Sequence, residues 1–254
     1  MVRLETERLL LRAGDRVLVR DLTLAFESGQ NWAILGANGS GKTTLLHTLA
    51  GLRRPEGGEI RLDGQPLDEI EPRERARKLG VLFQQHTTVF PATVLETVLT
   101  GRHPHLGRFQ DEGPEDHGIA RDVLAAVGLT DLSTRSMLTL SGGERRRVEL
   151  AALLAQDAPI GLLDEPVNHL DPRYQTQLLR AVCRRAERNG CFNLLVLHDI
   201  NLALRFCSHG LLLLPGGHRA GPLAEIVERE TLEAVYGCAM RERRDGIERW
   251  FFPD

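Results

Sequence analysis

Cysteine is scarce in this chain, and so are the features that would mark a membrane span or a nucleic-acid binder. The four cysteines, Cys183, Cys191, Cys207 and Cys238, do not stand at metal-ligand spacing. They read as reduced thiols of a cytosolic protein. No apolar run approaches the roughly 18–20 residues that cross a bilayer; the longest, such as Leu211 to Leu214, have the length of a strand. The start is interrupted by Arg3, Glu5, Glu7 and Arg8, so no signal peptide is expected there. There is no basic excess either. The net charge is −3, which argues against a nucleic-acid partner. The arginine-rich patches Arg145-Arg146-Arg147 and Arg241 to Arg244 are expected to be solvated faces. Internal repeats and low-complexity tracts are also missing.

What is present is an anion cradle. Gly36-Ala37-Asn38-Gly39-Ser40-Gly41-Lys42-Thr43 fits GxxxxGK[ST], the phosphate-binding loop of nucleoside triphosphatases. Asn31 to Leu35 reads as an apolar strand feeding the loop, and Thr44 to Leu52 as the helix that follows. The glycines lack Cβ, so backbone N–H groups can turn inward and approach a phosphate closely. The helix N-terminus adds the positive end of its dipole. Lys42 can reach the β- and γ-phosphates, and the Thr43 hydroxyl can hold Mg²⁺.

Elsewhere the chain alternates strand and helix signals. Leu9 to Arg12, Val17 to Val19 and Leu22 to Phe26 are strand-like, as is Glu59 to Leu62 with its Asp63-Gly64 hairpin signal. A mostly antiparallel layer is expected around a nucleotide core. Glu71 to Leu79 is helix-like, and Val81 to Phe83 is a candidate buried strand ending at Gln84. Thr93 to Leu99 and Gly118 to Val127 carry apolar residues at helical spacing. Strands are expected at Ile160 to Leu163 and Phe192 to Leu197, with a helix at Pro172 to Arg188 between them. The tail from Leu232 to Asp254 is short and mixed, too little for a separate regulatory domain.

The remaining chemistry clusters at strand ends. Asp164 terminates an apolar strand, where a carboxylate can reach the shell of a Mg²⁺ ion; Glu165 beside it can polarise an attacking water. Ser141 and Glu144 satisfy Ser-x-x-Glu, a helix capping box, for a helix running to about Gln156. Gly142 and Gly143 leave its first amides uncovered, which makes a second anion site. His198 closes the strand before it, where an imidazole can touch a γ-phosphate and Glu165.

The order of these landmarks resembles the ATP-binding cassette (ABC) ATPases. They are Gly36 to Thr43, Gln84, Leu140-Ser141-Gly142-Gly143-Glu144, Asp164-Glu165, Asn168-His169-Leu170-Asp171 and His198. The resemblance runs from about Leu4 to about Tyr236. It implies an α/β fold: a P-loop NTPase core with an antiparallel β subdomain and an inserted α-helical subdomain at about 86–158, in a single domain over residues 1–254. It implies ATP and Mg²⁺ as cofactors, with Gly36 to Thr44 and Ser141 to Gly143 on the nucleotide and Thr43, Gln84 and Asp164 near the metal. Glu165 would be the general base, with His198 and Gln84 completing the catalytic set. Gln84 would also be a hinge to the helical insertion, and Gln85 beside it competes for that assignment. The family pairs two such ATPase chains head to tail, each ATP lying between the phosphate loop of one and the Ser141 motif of the other. Asp171 resembles the loop that links the two sites. One departure stands out: the family's adenine-stacking aromatic has no counterpart in Arg12-Ala13-Gly14-Asp15, where the Arg12 guanidinium could stack instead.

Without membrane spans of its own, a cassette in transport needs separate integral membrane permease subunits. It would sit peripherally on the cytoplasmic face of the inner membrane, and serve a substrate-binding protein only indirectly. Gly101-Arg102-His103-Pro104-His105 and Leu197-His198-Asp199-Ile200-Asn201-Leu202-Ala203 resemble ATPases of importers for iron-siderophores, haem and cobalamin. Phe90-Pro91-Ala92-Thr93-Val94 and Arg249-Trp250-Phe251-Phe252-Pro253 lean towards the cobalamin type. The alternatives are an exporter or lipoprotein-release ATPase, or an ABC ATPase outside transport. The interval from Gln84 to Leu140 is too short for the coiled coil of a DNA-repair member, and the single cassette does not suit a translation-type member.

Overall fold

Strands of two kinds build this chain: half-buried ones that alternate and fully buried ones that do not. The computed structural model describes residues 2–84, 91–246 and 248–254, with 188 and 189 described by backbone alone. Gln85 and Phe90, both weighed above, lie outside the described residues.

The half-buried strands are β1 (Arg3–Ala13), β2 (Arg16–Glu27), β4 (Gly57–Leu62) and β5 (Gln65–Pro66), paired antiparallel in the order β2-β1-β4-β5. Asp63 and Gly64 have φ of 54° and 82°, as a primed two-residue hairpin turn requires. The two strands expected at Val17 to Val19 and Leu22 to Phe26 are one. Asp21 takes φ 55°, and the β1–β2 register shifts between Leu9 and Leu11, so the chain bends at a bulge without leaving the ladder.

The fully buried strands are β3 (Asn31–Gly36), β6 (Leu79–Leu82), β7 (Ile160–Asp164), β8 (Phe192–Val196) and β9 (His209–Leu214). All run parallel, with β10 (Gly217–Pro222) antiparallel at the edge, in the order β10-β9-β3-β8-β7-β6. Each face of this sheet has its own core, which is why these strands are apolar at nearly every position. Trp32, Ile34, Leu162, Leu194 and Leu211 join Leu45, Leu46 and Leu49 of α1 (Lys42–Leu49) and the inner face of the antiparallel sheet. The opposite parity, Ala33, Leu35, Leu163, Leu195 and Leu212, packs with α5 (Gly142–Gln156) and α6 (Pro172–Asn189).

The other helices are α2 (Pro72–Lys78), α3 (Val94–Leu99), α4 (Pro114–Ala126), α7 (Ile200–Phe206), α8 (Leu223–Ile226) and α9 (Arg229–Tyr236). α3, α4 and α5 pack on one another through Val94, Val98, Ala120, Leu124, Val148 and Ala151. α4 begins four residues before the expected Gly118 because Pro114 takes its first position and the Asp116 carboxylate accepts from the Gly113 N–H at 3.0 Å. The Gly101–His105 segment is fastened to the end of α5. Arg102 pairs with Asp116 at 2.8 Å and donates to Ala155 O, while His105 Nε2 lies 2.7 Å from Gln156 O.

The tail is more ordered than its composition suggests. It forms β11 (Met240–Asp245) and β12 (Glu248–Pro253), an antiparallel pair. Phe251 is buried, and its backbone exchanges two hydrogen bonds with the Asn201 side chain of α7. No disulfide is formed among the described residues. Burial pushes the Cys183 thiol up to about 12 and the Cys207 thiol well above its usual range, so both are unreactive.

Because β3, β6, β7 and β8 run parallel, the residues at and just past their carboxyl ends emerge at one edge. These are Gly36, Gln84, Glu165 and His198, and the carboxyl edge of such a sheet is where ligands bind.

Candidate nucleotide site

The phosphate loop is shaped by backbone conformations that side chains resist. Gly39 and Gly41 have φ of 74° and 103°, and a Cβ at Gly41 would stand 2.9 Å from the Leu18 Cβ. Gly41 serves as N-cap of α1 without a side-chain cap, so the first amides of the helix stay available to an anion. The helix starts at Lys42, two residues before the sequence expectation, because the left-handed Gly41 completes the turn into it. Lys42 Nζ donates to Gly36 O at 2.8 Å and Ala37 O at 3.0 Å. Burial lowers its pKa, and Glu165 and Asp164 counter that shift.

The loop forms one wall of a cleft of about 750 Å³ lined by Ala13, Leu18, Asn38, Gly39, Gly41 to Thr44, Gln84, Glu165, Asn168, His169 and His198. The predicted phosphate-loop, Gln84, Glu165 and His198 positions therefore meet in one place. Ala37 and Ser40 do not line that cleft; with Asn38, which lines both, they border a groove of about 410 Å³ on the far side of the loop. Ser141 and Gly142 are exposed, and neither they nor Gly143 line the cleft. The Ser141 capping box is complete: its hydroxyl accepts from Glu144 N, and the Glu144 carboxylate accepts from Ser141 N at 2.8 Å.

Two carboxylates occupy opposite environments. Asp164, the last residue of β7, is wholly buried, and neither carboxylate oxygen has a hydrogen bond of good geometry. Burial raises its pKa; the nearby Thr43 hydroxyl works against that rise and the Glu165 charge adds to it. Glu165 is held from both sides. His198 Nε2 lies 2.6 Å from its Oε1, and Asn168 Nδ2 donates to its Oε2. Its φ of 48° and that of His169, 61°, place both in left-handed backbone, a conformation kept only where the surroundings enforce it.

Arg146 and Arg147 overturn the reading of their run as a solvated face. They are 8% and 7% exposed. Arg147 Nη1 donates to Gly128 O at 3.1 Å, and its guanidinium lies 4.1 Å from the Tyr174 ring centroid. Arg146 reaches the ends of β6 and β7. The missed signal was the position of these residues within the α5 periodicity, which turns them inward beside Val148, towards carbonyls that no strand partner satisfies.

The adenine question also changes. Ala13 and Leu18 line the cleft, whereas Arg12 does not. The backbone of Arg12 is tied to Arg53 and Glu56 instead. Arg16 lines the groove on the far side of the loop, its Nη1 4.0 Å from where a Cβ of Gly39 would be. The guanidinium beside the loop is thus that of Arg16.

Residues 19–168 match the ABC transporter family model. The chain belongs to the ABC transporter family. It is 40% identical over 238 residues to the ferric enterobactin transport ATP-binding protein FepC of Escherichia coli, covering 93% of this chain and 88% of that one. It is 42% identical over 240 residues to the hemin import ATP-binding protein HmuV of Pseudomonas entomophila, covering 92% of each. Among solved structures, an inward-facing ABC transporter assigned to the metal-chelate type superposes with a TM-score of 0.85 at 27% identity, covering 100% of this chain and 98% of that one. A dimeric ATP-binding cassette holding ADP and phosphate, MJ0796, superposes at 0.76 and 27% identity over 87% of this chain and 98% of that one. The expected P-loop NTPase fold of the ABC type is the fold observed, and the chain is an ABC-type ATPase. No helix among the described residues is long and apolar enough to cross a membrane.

Proposed function

We propose that this chain is the ATP-hydrolysing subunit of an importer for metal chelates, of the iron-siderophore or haem class. It works as a head-to-tail dimer beneath separate permease subunits on the cytoplasmic face of the membrane, with a substrate-binding protein supplying the cargo. The observation that carries the hydrolytic part is the cleft itself, where phosphate loop, Glu165 and His198 converge. The cargo class is supported by relatives named for ferric enterobactin, hemin and petrobactin import. A single 254-residue domain with α3 to α5 as its helical insertion suits this role.

The residues divide the work as follows. The amides of the loop from Gly36 to Thr44, with the Lys42 ammonium, bind and orient the phosphates. Glu165 accepts the proton of the attacking water, and His198 orients the carboxylate while facing the γ-phosphate position. A Mg²⁺ ion fits the oxygen donors here: Asp164 carries two buried oxygens with no well-formed hydrogen bond beside the Thr43 hydroxyl, and Thr43 and Gln84 line the cleft. When bound, the ion supplies positive charge against the triphosphate. Ser141, Gly142 and Gly143 would meet the γ-phosphate held by the partner chain.

Reconstitution with its permease subunits in vesicles tests the transport direction. ATP-driven accumulation of a ferric siderophore or haem on the cassette side is expected, and ATP-driven movement away from that side would sink the reading. Mixing inactive Lys42→Ala with inactive Ser141→Arg chains tests the shared site. Activity should return, because one composite site in a mixed dimer carries neither lesion. A mixture that stays dead, and that forms no cross-link between the two motifs across chains, removes the shared-site assignment.

Base selectivity should be poor, because Ala13 offers no ring. A stacked plane is worth on the order of 1–2 kcal/mol, about tenfold in affinity. GTP should therefore compete with ATP within about tenfold in equilibrium binding. Ala13→Tyr should tighten ATP binding, and Arg16→Ala should weaken it more than Arg12→Ala. A preference for ATP of several hundredfold, untouched by either arginine variant, would refute this.

A further inference from the structure

Arg146 sits in the second turn of α5, one helical turn beyond Ser141, and its guanidinium reaches the ends of β6 and β7. Its Nη1 donates to Phe83 O at 2.6 Å and to the Glu149 carboxylate at 2.9 Å. Its Nη2 donates to Asp164 O at 2.7 Å and Glu165 O at 2.9 Å, and its Nε to Pro166 O at 3.3 Å. These carbonyls belong to the residue before Gln84, to the two carboxylate residues at the end of β7 and to Pro166 just past them. They lie at or past the strand ends, where ladder partners run out and another donor is required. One guanidinium supplies a planar fork of N–H groups to all of them, a geometry that an ammonium or an amide lacks.

The same contact bears on the left-handed backbone of Glu165. Holding a residue there costs on the order of 1–3 kcal/mol, which the surroundings must offset. Asn168 and His198 restrain the side chain; Arg146 restrains the carbonyls on either side of its Cα.

We infer that Arg146 is a positioning residue that sets Gln84 and Glu165 relative to each other and locks both to α5, the helix whose N-terminus carries Ser141 to Gly143. It touches no substrate. Displacement of the α5 N-terminus by a partner chain reaches Glu165 of the same chain through this guanidinium, a bridge of one rigid side chain between two motifs. The inference rests on the reading of Glu165 as the hydrolytic carboxylate, and it deepens that reading.

The test compares Arg146→Gln and Arg146→Lys with Arg147→Gln in the reconstituted transporter. Arg147 lies on the same helix with similar burial but bonds to Val127 and Gly128 carbonyls, so its variant is the control for structural damage. For both Arg146 variants kcat should fall at least tenfold while the KM for ATP and the dissociation constant for a fluorescent ATP analogue stay within about threefold. Arg147→Gln should leave kcat within about twofold. Hydrogen exchange without nucleotide should rise in the peptides covering Gln84 and Glu165 together, and not in β3 or α6. If Arg146→Gln does not fold, Arg146→Lys carries the comparison. An unchanged kcat overturns the inference, as does a parallel loss of kcat, nucleotide binding and protection throughout the chain. If the wild-type transporter hydrolyses no ATP, the hydrolytic reading fails, while the exchange result still reports whether Arg146 couples the two segments.

Discussion

Glu165→Gln should abolish turnover, lowering kcat by about 10²–10⁴-fold, the range that a positioned general base contributes. Nucleotide binding should survive. The geometry explains the contrast. Glu165 is 8% exposed and is gripped by His198 and Asn168 rather than by the phosphate loop. A glutamine has the same shape and still presents an oxygen to one of these neighbours, but it cannot take a proton from water. The phosphate contacts of Lys42 and the loop amides are untouched, so an ATP-bound dimer should accumulate and be visible by size-exclusion chromatography. Lys42→Ala should do the reverse, weakening ATP binding before any chemistry, because a phosphate charge loses its partner. Near-normal hydrolysis by Glu165→Gln would remove the assignment of the base.

Much of the site was legible because its parts are local. A loop of glycines between an apolar strand and a helix, a carboxylate pair after an apolar strand, and a Ser-x-x-Glu cap each declare themselves within about eight residues. The Ser141 cap and the end of its helix at Gln156 fall where the pattern puts them. What stayed hidden depends on contacts distant in sequence. The burial of Arg146 requires the ends of β6 and β7, at separations of 63 and 18 residues from Phe83 and Asp164. The tail hairpin requires Asn201, fifty residues from Phe251. The guanidinium near the loop is that of Arg16 and not that of Arg12, a placement set by how β1 and β2 pair and meet the loop, which the sequence alone does not give.

Asp164→Asn should raise the stability of the nucleotide-free protein while removing its Mg²⁺-dependent activity. The Asp164 carboxylate is wholly buried, and beyond the nearby Thr43 hydroxyl neither oxygen has a hydrogen bond of good geometry. Its folded pKa is raised, chiefly by desolvation. For an acid shifted upward, the charged folded form is the disfavoured one. Its cost is therefore fully present above the raised folded value, and it is relieved as pH falls through that value towards the unfolded one. Asparagine is neutral at every pH and removes the part of this cost that belongs to the charge, while its own buried amide keeps the smaller share of an unpartnered neutral group, about 1–3 kcal/mol. For a chain of this size each kcal/mol moves the midpoint by roughly 2–4 °C. Lys42 loses one neighbouring charge, but the carbonyls of Gly36 and Ala37 still hold its ammonium, so little of the gain is forfeited. The wild type should regain the difference when Mg²⁺ and ATP are added, by about 2.7 kcal/mol at a hundredfold excess over Kd, and the variant, which keeps the loop and Lys42 but loses the metal's carboxylate, should gain less. Thermal melts of both proteins, with and without Mg²⁺ and ATP, across the acidic to neutral range, measure all of this. The variant should melt higher without nucleotide at neutral pH, with the gap closing as the pH falls. A variant less stable than wild type without nucleotide would mean that the charge of Asp164 already supports the fold, and that its burial is not a cost held in place for the metal.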